Sequence, residues 1–284
     1  SGFVDWDLYS SGRYLDIRRI ILPDDITEFG FCAFLGLTLR TINIPSSLRK
    51  LGESCFEDDK WLAVNPLIIP EGITEIPVRC FQWCDNLKKI VLPSSLKTID
   101  MLAFYYARVE EMNFPEGLDS IGFSAIYATK LTEIILPNTV KKIGNAALAD
   151  NKELKSIILP EGLAEIPQRL CSYCSKLEKI EIPKSVKKIY SSAFQWCYKL
   201  KTNLPPEIKL IDWDAFSYCA LDSIVFPTTV EYIGGGAFND LTSLQKIYSM
   251  SPIPPICAEH PIVNPGDGPF HGYTPNDVPL YVPI

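Results

Sequence analysis

Few residues of this chain are suited to chemistry, and their spacing argues against most of it. Only two histidines occur in 284 residues, His260 and His271, eleven positions apart near Glu259 and Asp267. Ser–His–acid and Cys–His catalysis need a histidine held against a nucleophile by a folded scaffold, and both histidines fall in a proline-rich segment close to the C-terminus. Cys171-Ser172-Tyr173-Cys174 is a C-x-x-C pair, but no second pair or nearby histidine completes a zinc tetrahedron. Glu110 and Glu111 are adjacent carboxylates; neighbours on a strand point to opposite sides, so they make no acid–base pair for glycoside cleavage. Gly234-Gly235-Gly236 precedes an Ala-Phe pair rather than a helix and reads as a turn, not a phosphate loop. The expectation is a protein that is not an enzyme, with no catalytic residues, no metal and no cofactor.

Composition narrows the classes further. Lys plus Arg number 27 and Asp plus Glu 34, for a net charge of −7, which disfavours a nucleic-acid partner. An apolar fraction of 47% with 21% charged residues belongs to a folded chain. No apolar run approaches the ~18 residues that span a bilayer, so no membrane insertion is expected.

The elements that position these residues are repeats. Pro23, Pro45, Pro70, Pro93, Pro115, Pro137, Pro160, Pro183, Pro205 and Pro227 follow one another at intervals of 22 to 25 residues. Six positions after each stands Phe29, Leu51, Ile76, Ile99, Ile121, Ile143, Ile166, Ile189, Ile211 or Ile233. Eleven after comes Phe34, Phe56, Phe81, Phe104, Ile126, Leu148, Cys171, Phe194, Phe216 or Phe238, usually preceded by Ala or Cys. Before each proline runs apolar-x-x-apolar-x-apolar, as in Leu177, Ile180 and Ile182. That stretch reads as a short strand with one buried face, ended by the proline. A second extended stretch follows the proline, and the Ala-Phe pair starts one helical or 3₁₀ turn. No single unit buries these side chains alone; stacked at the ~4.8 Å strand spacing they form apolar ladders. The period therefore overrides the two domains that length alone suggests.

The unit from Ile182 to Leu200 (IPKSVKKIYSSAFQWCYKL) resembles the BspA-like, or Treponema-type, leucine-rich repeat. The resemblance implies a leucine-rich-repeat solenoid: a right-handed β/3₁₀ superhelix of about ten repeats of 22–25 residues with a parallel sheet, mostly β with short helical turns. The expected organisation is an N-terminal cap over residues 1–14, the solenoid over 15–250, and a Pro-rich C-terminal cap over 251–284 ending in a short strand. Trp6, Tyr9 and Tyr14 are available to cover the first repeat. Two places depart from the pattern: an insertion at Trp61 to Asn65, and a strand before Pro205 that is one residue short, with Asn203 at an apolar position. Nine cysteines occupy repeat columns, which favours buried thiols over disulfides. The resemblance also implies a secreted or cell-surface protein, and the Ser-Gly start fits a signal peptide already removed.

Two surfaces are candidates for binding. The outward column two before the proline holds Ile21, Asn43, Ile68, Val91, Asn113, Ile135, Ile158, Glu181 and Val225, which reads either as β-propensity or as a protein-binding sheet face. The flanking charges are of both signs, as in Arg18, Arg19, Arg40, Lys88, Lys89, Glu110, Glu111, Glu133 and Glu178, and suit a protein partner better than a polyanion. The second surface lies thirteen after the proline: Trp83, Tyr106, Tyr173, Trp196 and Tyr218, with Tyr105 and Tyr127 one position earlier in their repeats. The family usually carries a small polar residue or glycine there. These rings either shield the turn or form a ridge for a protein or a glycan. The resulting expectation is a non-enzymatic recognition or adhesion module for a protein of the host matrix or another cell. A glycan-binding module and a structural spacer are the alternatives.

Overall fold

The computed structural model describes residues 17–257, 268–270 and 279–281. The expected N-terminal cap, both histidines and most of the C-terminal cap lie outside the described residues. Those described contain short parallel strands of two to four residues and no helix. The chain divides into two compact units, Ser1–Leu131 with Lys142–Leu148, and Thr132–Lys141 with Ala149–Ile284. Each is a stack of solenoid turns.

In the first unit the strands after the proline, Glu75–Ile76, Thr98–Ile99, Ser120–Ile121 and Lys142–Ile143, form one parallel sheet. Its register places Ile76, Ile99, Ile121 and Ile143 side by side. On the other side Leu67–Ile68, Lys89–Val91 and Glu111–Met112 pair, as do Arg19–Ile20 and Thr41–Ile42. The insertion at Trp61 to Asn65 falls between those two sheets. In the second unit the sheet after the proline runs through Glu165–Ile166, Lys188–Ile189, Leu210–Ile211, Tyr232–Ile233 and Ile256–Cys257. The opposite side splits into Glu133–Ile135, Ser156–Ile158, Lys179–Glu181 and, separately, Ser223–Phe226, Lys246–Ser249, Leu280–Tyr281. The break lies at the shortened strand, where only a single bridge, Lys179 to Lys201, remains.

The phenylalanines form the spine that their column demands. Phe34, Phe56, Phe81 and Phe104 stack at 4.9, 5.4 and 5.3 Å in the first unit. Phe194, Phe216, Phe238 and Phe270 stack at 5.3, 5.6 and 5.4 Å in the second. Burying each ring removes its apolar surface from water and adds parallel ring contact at near-strand spacing. Successive repeats of the first unit close so tightly that a Cβ on Gly52 would lie 2.3 Å from the backbone of Gly30; only glycine fits there.

The turn after the Ala-Phe pair is not helical. Its residues make three overlapping i to i+3 turns: Ala193 N–H donates to Tyr190 C=O, Gln195 to Ser192 and Cys197 to Phe194. The intervening N–H groups point along the stack instead, Phe194 to Ala215 and Trp196 to Ser217. That alternation requires positive φ at the ninth and thirteenth positions after the proline, and every repeat has it, from Cys32 and Gly36 to Gly236 and Asp240. A helix would turn every N–H inward and leave the next turn of the solenoid unbonded.

The nine cysteines are free thiols, eight buried and only Cys257 exposed. Those fourteen after the proline act as donors: Cys84, Cys197 and Cys219 Sγ lie 3.2, 3.1 and 3.2 Å from the carbonyls of Phe56, Cys171 and Phe194 in the preceding turn. A small apolar residue with one weak donor fits that place better than alanine or serine.

Candidate functional site

The outward sheet column is where its parity puts it. Ile21, Ile68, Ile135, Ile158 and Val225 are exposed, at 71, 59, 51, 53 and 46%. Val91 is half-buried and Glu181 exposed. Ile135 and Ile158 are register partners with Glu181 next in line, while Val225 pairs with Tyr248 and Tyr248 in turn with Tyr281, the two tyrosine rings stacking at 4.8 Å. The apolar column is thus a set of separate patches, cut where the sheets break. Asn43 and Asn113 instead serve the backbone. Each side-chain amide accepts from and donates to the main chain of the preceding repeat, at Leu22 (2.7 and 3.0 Å) and Leu92 (2.8 and 2.9 Å). They lengthen the ladder past the strand ends.

The flanking charges pair with one another across repeats. Lys88 meets Glu110 at 2.8 Å, Lys89 meets Glu111, and Lys199 meets Glu178 at 3.1 Å. Lys188 reaches Glu165 at 2.8 Å and holds that carboxyl below its usual range, with help from the Tyr190 hydroxyl. Exposed pairs of this kind add little stability. They join charge of opposite sign locally between neighbouring repeats.

The thirteenth-position aromatics all sit at positive φ, between 56° and 64°. That region costs an L-residue about 1–2 kcal/mol; in the other repeats it is occupied by Gly36, Asp58, Ala128, Asp150 and Asp240. Tyr173, Trp196 and Tyr218 stack at 4.2 and 6.0 Å, with interplanar angles of 26° and 20°. Trp196 therefore has a tyrosine on each side, and the row turns ring edges outward. In the first unit Tyr106 packs with Tyr105 and Tyr127 at 4.7 and 5.5 Å, and Trp83 is 39% exposed.

Some candidates were not visible in the repeat columns. A cleft of about 660 Å³ is lined by Glu28, Phe31, Arg49, Glu53 and Glu75 over Gly30 and Gly52; burial and Asp100 push Glu75 up. A smaller one of about 250 Å³ lies beside Tyr198 and Tyr218. Asp59 is fully buried, accepts from Leu39 N–H at 3.1 Å, and has its carboxyl pushed up to about 8 by burial. No group of three or more His, Cys, Asp or Glu among the described residues could hold a metal ion.

The family described as BspA type leucine rich repeat region (6 copies) matches residues 12–128, 74–201 and 171–256. This chain belongs to the BspA-type leucine-rich-repeat family. Among solved structures, a leucine-rich repeat protein from Bacteroides ovatus is similar, with 25% identity and a TM-score of 0.60 over 82% of this chain. The chain spans 64% of the length of that protein. The pneumococcal vaccine antigen PcpA shares the fold at 21% identity and a TM-score of 0.54, covering 82% of this chain and 72% of its own. No curated protein matches. As a member of this family the chain is a repeat protein, and no helix long and apolar enough to cross a membrane occurs among the described residues.

Proposed function

We propose that this BspA-type repeat protein is a non-enzymatic, secreted or cell-surface recognition module that adheres to a protein of the host matrix or of a neighbouring cell. The observation that carries this reading is the Ile135–Ile158 patch: two β-branched side chains, side by side and about half exposed, on a sheet flanked by the Glu178–Lys199 ion pair. Dehydrating such a patch favours association, and a polar surround that is already neutralised lets a protein interface close without stranding charge. A polyanion would gain nothing there. Ile21, Ile68, Val91 and Val225 extend the same kind of contact on their own sheets, and Glu181 marks an edge of the Ile135–Ile158 patch.

The test is solid-phase binding of the purified chain to a panel of matrix proteins and mucins. Ile135→Lys with Ile158→Lys should weaken the captured complex by at least about tenfold, the effect of placing charge in a dehydrated contact. Circular dichroism and melting should stay unchanged, because both side chains point away from the core. Undiminished binding by that variant would remove the sheet face from the proposal.

A further inference from the structure

We propose that the notch above Ala220 is a binding site for a single pyranose ring, separate from the sheet face. The notch exists because this repeat is shorter than both of its neighbours. Between the fourteenth-position residue and the next buried leucine, the repeats on either side hold two residues, Tyr198-Lys199 and Thr242-Ser243, whereas this one holds only Ala220. Each longer segment bulges as an extra turn and the short one does not. The missing residue and the missing side chain leave a cleft of about 250 Å³, spanning two strand spacings, between Tyr198 and Thr242.

Its walls have the chemistry of a sugar site. The Tyr198 and Tyr218 rings stand 71° apart with centroids at 6.5 Å, forming an aromatic corner. Asp240 completes the lining with Thr242 and Ser243. The Asp240 carboxylate accepts from the Tyr218 hydroxyl, and that contact raises the Tyr218 phenol, so the carboxylate is oriented toward the cleft wall. Neither the Thr242 nor the Ser243 hydroxyl has a side-chain hydrogen bond among the described residues. A pyranose has an apolar C–H face for an aromatic wall, and hydroxyls that both donate and accept for Asp240, Thr242 and Ser243. The stacked faces of Tyr173 and Trp196 are closed to a sugar; the corner beside Tyr218 is open.

The experiment is saturation-transfer NMR on the whole chain with three probes, methyl β-D-galactopyranoside, methyl α-D-glucopyranoside and methyl N-acetyl-β-D-glucosaminide. Ligands of this size bind with Kd on the order of 1 mM. At least one should receive saturation on its ring C–H protons. Ala220→Phe, which fills the notch, should abolish the signal, and Tyr198→Ala should weaken binding by about tenfold. Asp240→Asn keeps a residue tolerant of positive φ and should also weaken it, so a loss of binding is not confounded with a loss of fold. Absence of transfer to all three glycosides, or transfer that survives Ala220→Phe, would overturn the proposal. So would binding of N-acetyl-L-argininamide with none of the sugars, which would assign the corner to a basic side chain. Ile135→Lys with Ile158→Lys should leave the sugar signal intact, which separates this site from the sheet face.

Discussion

Cys55 and Cys80 lie in adjacent turns with their sulfurs in a hydrogen bond at 3.4 Å and no disulfide between them. Burial raises the Cys80 thiol well above its usual range, and the neighbouring Cys55 raises it further. A thiol that cannot ionise is a poor nucleophile, so proximity does not become reactivity. Titration of the folded protein with a water-soluble disulfide reagent should modify Cys257 rapidly and the eight buried thiols only after denaturation. Fast modification of several sites would contradict the packing described.

The phenylalanine spines set a second expectation. Phe194→Ala removes a fully buried ring stacked on Phe216 and should cost about 3–5 kcal/mol. Phe123 is 50% exposed, and its replacement by alanine should cost less than about 1 kcal/mol. Urea unfolding of the two variants measures the contrast.

Positive φ at exposed, non-glycine positions offers a stabilising change. Arg79 and Arg169 are both exposed and both at φ 56°. Glycine there relieves a left-handed cost of about 1–2 kcal/mol against an unfolded-state penalty of about 0.5–1 kcal/mol. Arg169→Gly should raise the unfolding free energy by about 0.5–1 kcal/mol. A lower melting temperature would show that the arginine makes contacts outweighing its strain.

Asp59 gives the molecule a pH dependence. Its carboxyl stands at about 8 in the folded chain against 3.8 as the ordinary value. The native state therefore holds a proton that the unfolded state has lost between those values. Stability from this group is present in full below about pH 4 and declines as pH rises to about 8. Between pH 5 and 8 the melting temperature of the wild type should fall, and Asp59→Asn should flatten that slope. An equal slope in both proteins would mean that another group governs it.

How much of this was written in the sequence can be seen at particular residues. Pro183, Ile189 and Phe194 recur at a fixed interval, and a unit that cannot bury its apolar side alone must stack on its own copies. The solenoid, the buried columns, the outward direction of Ile135 and Ile158 and the irregularities near Trp61 and Asn203 all follow from that one constraint. Periodicity says nothing, however, about how an N–H is aimed inside a turn. The left-handed residues that replace the expected helical turn appear only when the hydrogen bonds between turns are seen. The same holds for the aromatic row: Trp196 reads as a bare ring in the sequence, and only its neighbours decide that it turns an edge outward.

The notch shows the limit most directly. The missing residue beside Ala220 is countable in the sequence, but a deletion leaves a cavity only if the turns on both sides stay full length and cannot move inward. Repetition along the chain fixed what is buried and what repeats with what. The meeting of Tyr198, Tyr218 and Asp240, three residues from three successive turns, was settled by close packing across the stack, because side chains 20 or more positions apart have no local rule that joins them.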